Sequence, residues 1–234
     1  MTNADKLAQK KIDAVIQKYS VMPFSKETLR NSIVEMGYAF VGVSEIGTTN
    51  TGFWVDKFNK DIGLNKVAWC VSFIQYIYKY SCSIWNMPDI LPFNTGSSQG
   101  LFVWASKNKL TFTDYTLLKP ADIVVWRNGA KSSLGHVGLS SKIKIDEPEI
   151  VSTTEGNTNS EFSRDGGDVC YHTANILRYG EIGIPSKTNP QKRYTRGFIS
   201  FDAIWDFSGI IGTFASADAV AGTGSIDGAI ASVA

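Results

Sequence analysis

The chain has 234 residues, of which 43% are hydrophobic and 19% charged, and its 23 basic residues nearly cancel 22 acidic ones. At roughly 100–200 residues per domain this is one ordinary domain with additions, or two small ones, and the apolar content excludes wholesale disorder. A net charge of +1 gives no sign of a nucleic-acid binder or a polybasic membrane-surface protein, both of which need a basic excess.

The first eleven residues contain no continuous apolar core, so no signal peptide is expected. No run of eighteen uncharged apolar residues occurs either, and no membrane insertion is expected. Residues 4–19 place Ala8, Ile12, Val15, Ile16 and Tyr19 on one helical face, which reads as a docking helix ended by Pro23. Ser25 is the expected N-cap of a second helix, with Glu27 in its first turn and Leu29, Ile33, Met36 and Phe40 at helical spacing up to about Val41. A Gly-Thr-Thr-Asn-Thr-Gly loop at 47–52 precedes a short helix over 53–60. Residues 69–80, with Cys70, Phe73, Ile74, Ile77 and Tyr78 at helical spacing, are too long an apolar run for a strand and predict a buried helix. Pro88, Pro92 and Gly96 interrupt the chain before another helix over 97–108.

After Pro120 the character changes. Short β-rich runs at 123–126, 136–139, 150–153, 169–176 and 197–201 are separated by Gly, Asn and Asp, as in an antiparallel meander. Helices first and strands later predict an α+β fold, with N-terminal helices on a mostly antiparallel sheet of about five or six strands. Residues 207–234, rich in Gly, Ala, Ser and Thr, read as a tail that is either flexible or an anchoring segment ordered only against a partner.

Three cysteines, Cys70, Cys82 and Cys170, are an odd and small set, which argues against a disulfide framework. With no CxxC pair, no Cys/His cluster of zinc spacing and no Asp-rich loop, no metal or other cofactor is expected. Chemistry that needs a histidine must use His136 or His172. Cys70 opens an apolar helix, where backbone N–H groups and the positive end of the dipole favour a thiolate. His136 stands in Gly135-His136-Val137-Gly138, whose glycines leave its imidazole room to face a cleft. Downstream, Thr153-Thr-Glu155-Gly-Asn157 offers two polar groups, Glu155 and Asn157, able to orient an imidazole. A nucleophile, a base and an orienting group form the minimal set for thiol acyl transfer. Each also has a plain reading: a buried small hydrophobe, a structural histidine, a turn. His172 lacks the glycine setting of His136, Cys82 and Cys170 read as buried thiols, and Asn50 and Gln75 have no secure role. Trp69, beside the nucleophile, is the tryptophan best placed to stack on substrate.

These segments, in this order, resemble a CHAP domain, the cysteine, histidine-dependent amidohydrolase/peptidase group of the papain-like superfamily found in phage lysins. The matching pieces are Gly42-Val-Ser-Glu45, Asn50-Thr-Gly52, Ala68-Trp69-Cys70-Val71-Ser72-Phe73, Ala121-Asp122-Ile-Val-Val-Trp126, Gly135-His136-Val137-Gly138 and Thr154-Glu155-Gly156-Asn157-Thr158. The family commonly has Gly-Asp where this chain has Ala121-Asp122. The resemblance implies Cys70 as nucleophile, His136 as general base, Glu155 as its orienting group and Asn157 as an accessory polar residue. It implies a catalytic domain over 25–206, with 1–24 and 207–234 outside it, acting on peptidoglycan as an amidase or endopeptidase. Without an export signal, such an enzyme waits in the host cytoplasm until lysis or travels on the phage particle. Two alternatives stand beside it. One is a virion or tail component that contacts other virion proteins through the N-terminal helix or the C-terminal tail. The other is an intracellular cysteine amidase or protease.

Overall fold

Two capping boxes start the computed structural model, which describes residues 1–161, 166–189 and 191–209. The Thr2 hydroxyl accepts from Asp5 N while the Asp5 carboxylate accepts from Thr2 N at 2.6 Å, opening α1 (Asn3–Ser20). Ser25 and Thr28 repeat the arrangement at α2 (Lys26–Ala39). Each box satisfies backbone donors that a helix start otherwise leaves without partners. Then follow α3 (Phe53–Asp61), α4 (Cys70–Ser83) and α5 (Ser98–Lys107). The helices fall where the apolar spacing puts them, to within a few residues at their ends.

The second half forms a six-stranded antiparallel sheet from β1 (Thr111–Phe112), β2 (Ile123–Asn128), β3 (Gly135–Lys144), β4 (Glu147–Thr158), β5 (Asp168–Asn175) and β6 (Arg193–Ile199), in the order β1-β6-β2-β3-β4-β5. The expected meander holds for β2 to β5. β6 instead crosses back to pair with β2, and β1 adds two residues at its outer side. The architecture is thus α+β, with helices leading and an antiparallel sheet following.

Strand alternation gives the sheet two apolar faces. Ile123, Val125, Val137 and Leu139 join the helices in the main core, centred on Phe40, Phe58, Phe73 and Trp54. Val124, Trp126, Val151, Ile176 and Phe198 form a smaller cluster on the other face, partly covered by Tyr115, Leu177 and Tyr179.

Two expectations change. The run at 197–201 is not all strand: β6 ends at Ile199, and Ser200 caps α6 (Phe201–Ser208), its hydroxyl accepting from Ala203 N. The helix therefore reaches into the segment read as a tail, whose residues 210–234 lie outside the described residues. α1 docks through its apolar face: Ala8, Ile12, Val15 and Tyr19 are buried in the main core and Trp54 Nε1 donates to Asp5 O at 3.2 Å. Among the described residues no helix is long and apolar enough to cross a membrane.

The Ala121-Asp122 pair is structural. Ala121 has φ +68, the left-handed region that glycine fills without a Cβ penalty. Asp122 accepts from Phe201 N at 2.8 Å and Lys119 N at 2.7 Å, tying the start of α6 to the turn before β2. Arg30 fastens the same corner from α2, donating to Asp202 Oδ1 and to Pro120 O, each at 2.6 Å.

Candidate active site

Cys70 is the first residue of α4, and Trp69, at the cap position, provides no side-chain cap. The first-turn N–H groups are therefore not taken by a capping side chain, which leaves the positive end of the helix facing the thiol. The thiol is buried, as are His136 and Glu155; the three residues are 5%, 1% and 3% exposed.

His136 lies near the start of β3, paired with Trp126 of β2, and the two rings stack with centroids 5.8 Å apart. Its Nε2 is 2.9 Å from Glu155 Oε2. The other nitrogen, Nδ1, is buried and has no partner at ordinary hydrogen-bond geometry. The Cys70 side chain is nonetheless close enough to act on the ring. Such a contact is often long in a free enzyme and tightens with substrate.

Thr153 completes the set from the same face of β4. Its hydroxyl donates to Glu155 Oε1 at 2.6 Å, so one carboxylate oxygen is held by Thr153 and the other meets the imidazole. Thr153 has no role in the expectations from sequence; the signal that could have found it is that residues two apart on a strand share a face.

Charge follows from these contacts. Burial alone would lower the His136 pKa, but hydrogen bonding to Cys70 and Glu155, and their charges, push it up to about 9. Burial alone would raise Glu155; its hydrogen bond to His136, the imidazolium charge and the Thr153 hydroxyl hold it below the ordinary carboxylate range. The site is thus built to keep an imidazolium between a carboxylate and a sulfur. Burial pushes Cys82 up to about 12, and burial with Asp168 and Glu155 pushes Cys170 up to about 11. All three cysteines are free of disulfides.

The glycines around His136 do something other than open a cleft. A Cβ on Gly138 would lie 2.8 Å from Glu155 Cγ, so this glycine makes room for the carboxylate. A Cβ on Gly135 would lie 2.2 Å from both Gln99 Nε2 and Trp126 O, which hydrogen-bond each other at 2.8 Å. On β4, Gly156 lets Trp69 and Phe73 approach, since its Cβ would fall 2.7 Å from Trp69 Cζ3.

Trp69 is not a stacking platform. Its ring is fully buried beside Phe58, and Nε1 points to Glu45 Oε2 at 3.4 Å, so it offers no face to a ligand. Asn157 is buried in the irregular stretch of β4 between Glu155 and Thr158, with φ +58, a left-handed position that asparagine tolerates. His172 lies opposite Thr153 on β5; burial lowers its pKa, partly offset by the Glu155 charge, and the fold places it on the far side of Glu155 from β3. Gln75 is spent on structure, donating to Phe93 O and Thr95 O, and Asn50 N donates to Glu45 Oε2. Among the described residues no group of three or more His, Cys, Asp or Glu side chains could hold a metal ion.

Comparisons with protein-family models, with curated proteins and with solved structures found no match.

Proposed function

We propose that the chain is a thiol amidohydrolase of papain-like, CHAP type that cleaves an amide bond in peptidoglycan. The observation that carries this reading is the order Cys70, His136, Glu155, Thr153, with the imidazole bonded through Nε2 to a fixed carboxylate and its Nδ1 left for the thiol. In the active form the Cys70 sulfur is a thiolate and His136 an imidazolium. The sulfur attacks the amide carbonyl carbon, and the carbonyl electron pair moves to oxygen. That oxyanion is stabilised by the Cys70 backbone N–H at the head of α4, with Asn157 as an accessory polar residue; a single such donor contributes about 3 kcal/mol. The tetrahedral centre collapses as the C–N bond breaks, and His136 gives its proton to the departing nitrogen. The now neutral imidazole takes a proton from water, whose oxygen attacks the thioester. The acid leaves, and the thiolate–imidazolium pair is restored.

Glu155 orients the ring and favours its protonated form throughout. The wall as substrate rests on the sequence resemblance alone; the thiol chemistry rests on the site. Incubation with purified peptidoglycan, followed by mass spectrometry of the soluble fragments, separates the two. New amino and carboxyl ends that disappear with Cys70→Ala support the proposal, and the end group left on muramic acid distinguishes an amidase from an endopeptidase. Fragments that persist with Cys70→Ala contradict the assignment of the nucleophile. No fragments from any wall, together with Cys70-dependent cleavage of a protein substrate, would move the reading to an intracellular protease.

A further inference from the structure

The near-zero net charge hides a segregation. Residues 123–145 and 182–201 contain no Asp or Glu, yet hold Arg127, Lys131, Lys142 and Lys144 in the first stretch and Lys187, Lys192, Arg193 and Arg196 in the second. Pairing of β2 with β6 brings the two stretches together, Arg127 opposite Tyr194 and Asn128 opposite Arg193. α5, which packs on β2, adds no acidic residue.

Two of these cations, Arg196 and Arg127, are held in place by named contacts. Arg196 is the extra residue of a β-bulge, since Val125 pairs with Gly197 and Trp126 with Thr195. Bulges redirect a side chain, and here the guanidinium lies 4.4 Å over the Phe102 ring and donates to Gln99 Oε1 at 2.7 Å. Arg127 Nε donates to Ser132 O at 2.7 Å, bracing the β2–β3 hairpin. The hairpin's Lys131 and Ser132 border a groove of about 480 Å³ that Gln191, next to Lys192, lines from the other side. None of Arg127, Lys131, Lys192 and Arg196 is in an ion pair among the described residues. Arg127 and Arg196 are close enough for the charge of one to depress the pKa of the other, after burial. Like charges held together without an internal counter-ion attract an external anion.

The location points to the substrate. Arg127 pairs with Gly135 and Trp126 with His136, so Arg127 stands at the same end of the sheet as the imidazole, with its side chain on the opposite face. We propose that Arg127, Lys131, Lys192 and Arg196 form an anion-binding face that holds carboxylate groups of an acidic peptide substrate whose chain runs around this end of the sheet from the thiol site. This rests on the thiol-hydrolase reading and names the class of peptide it takes: one carrying free carboxylates near the cleaved amide.

The test uses the full chain with Cys70→Ala, which binds without turnover, and peptidoglycan stripped of phosphate polymers. Co-sedimentation is measured against increasing sodium chloride for this parent and for the same chain with Arg127→Gln, Lys131→Gln and Lys192→Gln added. The triple substitution is expected to weaken binding roughly tenfold at low salt and to flatten the salt dependence, with an unchanged circular dichroism spectrum. Peptidoglycan whose carboxylates have been converted to amides should bind the parent as weakly as the triple variant binds the untreated wall. Equal binding by parent and variant, or equal binding to amidated and untreated walls, overturns the proposal. Binding by the parent only to walls that retain phosphate polymers overturns it too, and assigns the face to phosphate. Each of these results is read without cleavage, so it is distinct from a failure of the Cys70 assignment.

Discussion

Both oxygens of Glu155 are committed, one to His136 and one to the Thr153 hydroxyl, and the protonation of His136 depends on that arrangement. With its pKa up at about 9, the imidazolium keeps its proton at neutral pH and loses it as pH rises through that value. Cleavage is therefore expected to fall on the alkaline side near pH 9, because the proton needed by the leaving nitrogen is gone. Glu155→Gln removes part of the upward pull on His136, so the alkaline limb should move to lower pH and kcat should drop about 10²-fold or more. A pH–rate profile whose alkaline limb stays in place would contradict the pairing. Thr153→Val frees Glu155 Oε1 and should shift the limb the same way by a smaller amount, while Thr153→Ser restores the wild-type profile. Cys70, His136 and Glu155 were legible in the sequence from residue type, order and flanking glycines. The burial of Trp69 was not, because nothing in its neighbours says which way an indole at a helix cap will turn.

Among the elements, the glycines next to the site act as spacers between β3, β4 and α4. Gly138→Ala would drive a methyl into Glu155, and Gly156→Ala into Trp69 and Phe73. Overpacking of this kind costs about 1–3 kcal/mol. Gly138→Ala is expected to reduce activity more than stability, since the atom it displaces carries the carboxylate. Gly156→Ala should lower the thermal midpoint more, since it separates β4 from the head of α4. Calorimetry together with kcat for both variants checks this division. The helices were legible because apolar residues recur every three or four positions over ten or more residues. β1 and α6 were missed for the opposite reason: two residues carry no pattern, and α6 begins at Phe201 directly after a β-rich run. The return of β6 to the β2 edge depends on contacts between distant segments, which local alternation does not encode.

For the whole molecule, α1 matters more than its place outside the family resemblance implies. Ala8, Ile12, Val15 and Tyr19 are buried against the same core that supports α4. Removing residues 1–24 should expose that core and cost several kcal/mol, at about 25 cal/mol per Å² of apolar surface uncovered. The truncated chain is expected to aggregate or to melt far below the full chain; a truncated protein with an unchanged thermal midpoint would contradict this. The segregated basic surface was equally invisible in a net charge of +1, because it depends on β6 lying beside β2.

The central claim is that Cys70 is a nucleophile activated by His136, and it can be tested without knowing the substrate. The native protein is treated with iodoacetamide across a range of pH, and labelling at each cysteine is followed by peptide mass spectrometry. Cys70 is expected to react at neutral pH well ahead of Cys82 and Cys170, and His136→Ala should abolish that advantage. Labelling of Cys70 no faster than Cys170, or a Cys70 rate unchanged by His136→Ala, would contradict the account.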